Sequence, residues 1–185
     1  MIYPIVGYGD AVLRKRAAEI TKDYRDLKDI IASMFETMYR AQGVGLAAPQ
    51  VGLSIRLFVV DASPFKEDDG NADGFRKVFI NAEVIKEEGD KWKFNEGCLS
   101  IPGIREDVER KGKITLRYFD EHFVEHNDSF DGMPARIIQH EYDHIDGVLF
   151  TDRLTPLKKR LLKGRLTDIG KGIVDVTYKM RFSRR

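Results

Sequence analysis

One cysteine, Cys98, stands in a chain of 185 residues, so no disulfide can form within it and nothing calls for an oxidising compartment. No apolar run approaches the roughly 18 residues that a membrane-crossing helix needs. The opening stretch from Met1 to Arg16 has neither an apolar signal core nor a small-residue cleavage site, so no membrane partner is expected and the cytoplasm is the expected location. Internal repeats and long low-complexity stretches are missing too, which argues against a solenoid or a disordered chain. The only linker-like piece is the polar run at 66–74, read as a surface loop whose length would govern access to a neighbouring site. What remains is ordinary for a globular protein, and residues 1–185 are expected to form a single domain with a core that needs no staples.

A strong net charge is also lacking, at +1 overall, but the balance is uneven. Residues 151–185 hold eleven Lys or Arg against three Asp, which makes that end +8 and leaves 1–150 at −7. The first reading of the basic end is a solvated face. No nucleic-acid-binding motif accompanies it, so contact with ribosomal RNA would rest on charge alone.

Apolar residues Leu27, Ile30, Ile31, Met34, Phe35 and Met38 recur at three-and-four spacing, and Gly43 and Gly45 follow, which predicts an amphipathic N-terminal helix within 23–42. Strands are predicted at 55–62, 77–85, 90–97 and 113–126, giving a largely antiparallel sheet. A second helix is predicted over about 134–146, with Asp131 as its cap and Gly147 just past its end. A short helix near 156–164 and a closing strand within 172–182 complete the order. The fold class is α+β, not repeating βαβ.

The chemistry concentrates in three clusters. On the second helix lies His140-Glu141-Tyr142-Asp143-His144, an HExxH pattern. Residues four apart share a helix face, so two imidazoles can meet one ion with Glu141 beside them to handle protons. A catalytic metal site needs a third protein ligand and an open position. No His or Glu follows His144, although Asp residues do. Upstream, Cys98 sits in Glu96-Gly97-Cys98-Leu99-Ser100, where a loop can aim a thiolate at the helix. Taken alone the thiol is read as a buried small residue, a nucleophile or a ligand. Taken with the helix it is read as the ligand. Glu96 with Arg105 or Arg110 would brace this loop, and Asp143 would orient a ligand His. The third cluster, Gly43-Val44-Gly45-Leu46-Ala47-Ala48-Pro49-Gln50, keeps bulk away from the backbone, and Gln50 offers an amide donor to a developing oxyanion.

GVGLAAPQ, EGCLS and QHEYDHIDG in this order resemble the three signature motifs of the peptide deformylase family, and the likeness spans the chain. The resemblance implies antiparallel β-sheets packed around a central HExxH helix, and removal of the formyl group from the N-terminal formylmethionine of nascent peptides. It makes Cys98, His140 and His144 the metal ligands, Glu141 the catalytic carboxylate, and Gln50 with the backbone N–H of Leu99 the oxyanion donors. Gly43, Val44 and Gly45 are expected to bind the substrate backbone, with Val44 and Ile137 at the methionine pocket. A Cys-His-His set suits zinc and is compatible with ferrous iron, nickel or cobalt. The resemblance points to Fe(2+). Docking on the ribosome, which some members of the family achieve with a terminal helix, is in doubt here because the end of the chain reads as a strand. The rival reading is an HExxH protease acting on internal peptide bonds, which would place Cys98 in the core and an Asp in the metal site.

Overall fold

The computed structural model describes residues 1–183; Arg184 and Arg185, part of the basic end, lie outside the described residues. Its elements are strand β1 (Ile5–Val6), helix α1 (Leu27–Arg40), strands β2 (Gly45–Ala47), β3 (Leu57–Asp61), β4 (Arg76–Cys98), β5 (Ile101–Phe119) and β6 (Glu125–Asp131), helices α2 (Gly132–Ile145) and α3 (Pro156–Gly170), and strand β7 (Met180–Arg181). Five strands form one antiparallel sheet in the order β2-β3-β4-β5-β6, and β1 pairs with β7 in a separate parallel pair.

Strands expected at 77–85 and 90–97 are one 23-residue strand, β4, and its 19-residue partner β5 runs through the charged stretch after Cys98 where no strand was expected. Glycine does not end the strand here. Gly89 (φ +80°) and Asp90 stand opposite Gly112 alone, so the left-handed residue makes a β-bulge and the ladder continues past it. A second correction falls inside the strand expected at 113–126, which is a hairpin. The Asp120 carboxylate accepts from the N–H groups of His122 and Val124 at 2.9 and 3.0 Å, and Phe123 turns the chain at φ 59° without glycine or proline.

Helix α1 buries Leu27, Ile31, Met34, Phe35 and Met38 in one cluster with Leu57, Val59 and Ile80 of the sheet. It begins four residues later than expected, because Asp26 sits in the left-handed region at φ 57°. Helix α3 is longer than expected, with Gly164 in its interior, and the closing strand contracts to the two residues of β7. Helix α2 is buried nearly all round, although half its buried residues are polar: Arg136, Gln139, His140, Glu141, Asp143 and His144. A polar helix in that position must have its groups paired or used.

The ends of α2 are fixed by two kinds of bond. At the C-terminus, the Val148 N–H donates to the Asp143 carbonyl and the Gly147 N–H to the His144 carbonyl, with Gly147 at φ +75°, a Schellman stop. At the N-terminus the expected cap fails: Asp131 makes no side-chain cap bond and instead accepts from the Asn71 amide. Asp69, from the polar loop, accepts from the Met133 N–H at 2.6 Å and takes that role across the tertiary structure. Asp69→Ala is therefore expected to lower stability by about 1 kcal/mol, and Asp131→Ala by less. Urea unfolding of both variants checks the order, and a larger loss for Asp131→Ala would contradict it.

Candidate metal centre

Cys98 ends β4, and the next two residues turn the chain into β5, while His140 and His144 project from one face of α2 with ring centroids 5.1 Å apart. Each of the three residues offers one ligand atom, and these atoms lie within 4.8 Å of one another. Cys98 Sγ lies 3.3 Å from His144 Nε2. One soft thiolate and two imidazoles at this spacing fit a divalent cation of the zinc or ferrous type. Cys98, half-buried, thus brings a third donor atom beside the two imidazoles of the HExxH pattern. Asp143, by contrast, is turned away from the imidazoles.

A buried ionic network orients His140, whereas the buried His144 Nδ1 has no hydrogen-bond partner among the described residues. The Glu96 carboxylate, 4% exposed, accepts from Arg110 Nε and Nη2 at 2.7 and 2.9 Å and from Arg136 Nη1 at 2.8 Å, and pairs with His140 Nδ1 at 2.9 Å. With Nδ1 taken, Nε2 is the nitrogen His140 presents to a metal. Burial raises the Glu96 pKa, but the bonds from Arg110 and His140 outweigh it and hold the carboxyl well below the usual range. Of the two arginines proposed to brace this loop, Arg110 does so; Arg105 bonds Asn95 instead. Asp143 orients no histidine: it pairs with Arg110 at 2.8 Å and with Arg153 at 2.6 and 2.5 Å. Arg136, one turn before His140 on the same helix, was missed, although that spacing places both on one face. Its guanidinium stacks 4.2 Å from the Trp92 ring.

Glu141 is 4% exposed, and its Oε2 has no protein partner. Burial, against the opposing charge of His140, pushes its carboxyl up to about 7, near the point where a proton is both taken and released at neutral pH. The glycine-rich segment is explained by this carboxylate: an added Cβ on Gly45 would lie 2.4 Å from Glu141 Oε1. Gly43 similarly makes way for Leu99, whose Cδ1 would lie 2.9 Å from a Cβ there. Gly45 opens β2, the edge strand of the sheet, beside the cavity. Gln50 is buried in the turn after it. Its Oε1 accepts from the Ala47 N–H at 2.8 Å, which leaves Nε2 directed at Cys98 Sγ and Ser100 Oγ at 3.5 and 3.4 Å.

These groups open onto one cavity of about 660 Å³. Gly43, Val44, Gly45, Leu99 and Ile137 all line it, as do Phe65, Phe94 and Met133. Its far wall is the segment Asp175–Tyr178, which composition alone marked only as part of a basic end.

The sequence matches the polypeptide deformylase family over residues 2–160. The chain belongs to the peptide deformylase family. It is 56% identical over 190 residues to a peptide deformylase of Flavobacterium johnsoniae, covering 99% of this chain and 97% of the relative. It is 57% identical over 182 residues to that of Cytophaga hutchinsonii, covering 98% of each. Among solved structures, a peptide deformylase from Legionella pneumophila matches with a TM-score of 0.81 at 36% identity, over 94% of this chain and 98% of that one. The enzyme from Thermotoga maritima matches with 0.76 at 40%, over 84% and 99%.

The packing of Gly45 on Glu141 can be tested in this member of the family. Gly45→Ala is expected to displace the carboxylate and lower hydrolytic kcat by roughly 10²-fold or more while metal stoichiometry stays at one per chain. Unchanged turnover in the variant would show that the close approach is incidental.

Proposed function

We propose that this chain removes the formyl group from the N-terminal formylmethionine of newly made proteins and releases formate, with one divalent ion held by Cys98, His140 and His144. The observation that carries the reading is the buried, unpartnered carboxylate of Glu141 beside three convergent metal ligands, in a chain of the deformylase family. The ion, Fe(2+) by expectation with Zn(2+), Ni(2+) or Co(2+) as alternatives, supplies Lewis-acid polarisation when bound. Glu141 takes the proton of the attacking water and later delivers it to the leaving amine. Gln50 Nε2 and the Leu99 N–H donate to the oxygen that gains charge. Glu96 keeps His140 turned, and Asp143 keeps Arg110 in place.

Substrate enters as an added strand against the edge at Gly43, Val44 and Gly45, which satisfies its backbone while the side chains alternate between faces. The methionine side chain goes to the apolar part of the cavity at Val44 and Ile137, with Met133 beside them. The expected partner is the nascent peptide in the cytoplasm. No helix among the described residues is long and apolar enough to cross a membrane. The ribosome is the place where such a peptide is met, and the exposed Lys159, Arg160, Lys163 and Arg165 of α3 are the basic groups that would face it.

Formate release from formyl-Met-Ala-Ser by anaerobically purified protein tests this reading, with acetyl-Met-Ala-Ser and a Glu141→Ala variant alongside. Release from the formyl peptide alone, reduced about 10²–10⁴-fold in the variant with metal retained, is the expected result. No release from a fully metallated sample would overturn the assignment.

A further inference from the structure

Cys98 pairs with Ile101 across the β4–β5 turn, so Leu99 and Ser100 form a two-residue hairpin loop. Loops of that length match the twist of their strands when one or both residues take positive φ. Neither Leu99 nor Ser100 does. This turn must therefore be held from outside, and three groups do so. The Tyr178 hydroxyl donates to the Leu99 carbonyl at 2.8 Å. The Tyr8 N–H donates to the Ser100 carbonyl at 2.9 Å. Gln50 Nε2 reaches Ser100 Oγ at 3.4 Å.

Two of the three come from a single unit. The Ile5 N–H donates to the Lys179 carbonyl at 2.8 Å and the Gly7 N–H to the Arg181 carbonyl at 2.9 Å, so the segment carrying Tyr8 also tethers the segment carrying Tyr178. Phe182 packs so closely on Gly7 that a Cβ there would lie 2.2 Å from its ring, and the ring joins the cluster that includes Val6, Ile101 and Leu162. The last described residues of the chain are thereby a fixed strap over the turn, and Asp175–Tyr178 form one wall of the cavity.

We infer that Tyr178 is a positioning residue for deformylation: its bond to the Leu99 carbonyl holds the turn that places the Cys98 thiolate and aims the Leu99 N–H at the formyl oxygen. The inference rests on the reading of Leu99 as an oxyanion donor. A backbone donor cannot be removed by substitution, but the group that orients it can. Unlike Gln50, Tyr178 makes its contact away from the reacting atoms, so its loss bears on the step in which charge develops and not on peptide affinity.

Tyr178→Phe deletes the hydroxyl and keeps the ring. In metal-loaded protein the expected result is a roughly tenfold fall in kcat, with KM within twofold, metal content unchanged, Tm lower by no more than about 2–4 °C, and faster amide hydrogen exchange at the Leu99–Ser100 turn. Tyr178→Ala, which also removes cavity wall, is expected to add a rise in KM. Wild-type kcat in Tyr178→Phe, a loss confined to KM, or unchanged exchange at the turn would each overturn the inference. If metallated wild-type protein released no formate, the deformylase reading itself would fall, and exchange at the turn would still decide whether Tyr178 holds it.

Discussion

Glu96 carries its charge where almost no water reaches it, and the arrangement of the site follows from the way that charge is satisfied. Two guanidiniums and one imidazole converge on it, from Arg110 on β5 and from Arg136 and His140 on α2. Arg110 in turn joins Asp143, and Asp143 joins Arg153 beyond the end of α2. Sheet and helix are thus locked at one register by bonds of defined direction. Apolar residues of similar volume would stabilise such a core as well or better, but removing a single partner from a buried network leaves an unpaired charge and costs about 3–5 kcal/mol. The network ends on His140, one of the three convergent donors that could hold a metal ion.

The two neighbouring glutamates of the site show what environment does to one functional group. Glu96 bonds two arginines and His140 and stays ionised; Glu141 is equally buried, bonds no cation, and is pushed up to about 7 by burial that outweighs the charge of His140. The first is fixed in place by its partners and the second is left without one, the kind of contrast in environment that sets two carboxylates to different tasks. Gly45 and Gln50 serve the same end from the other side. The glycine lets the backbone reach Glu141, and the amide points its donor toward Cys98 Sγ and the Leu99–Ser100 turn.

The centre of the site was legible in the sequence because its geometry is local. His140 and His144 meet through helix periodicity, Cys98 precedes a turn, and the glycines around Val44 announce a close approach. What escaped is carried by tertiary pairing. Asp69 caps a helix more than sixty residues away, and nothing near Asp131 signals that its place is taken. Arg153 holds Asp143, and Tyr178 reaches a carbonyl 79 residues earlier in the chain. The sheet was misjudged at Gly89 and Asp120 for a different reason. The sequence pattern marks a change of backbone conformation at such positions, but whether it becomes a bulge or a hairpin depends on the partner strand.

X-ray absorption at the metal edge of anaerobically purified protein tests the central claim most directly, because it counts ligand types without reference to activity. One sulfur at about 2.3 Å and two imidazole nitrogens at about 2.0–2.1 Å, with an oxygen completing the shell, is the predicted result for a zinc-like ion, and the sulfur disappears in Cys98→Ser. A native coordination shell without sulfur would contradict the account, since the third ligand would then lie elsewhere and the β4–β5 turn would have no part in holding the ion.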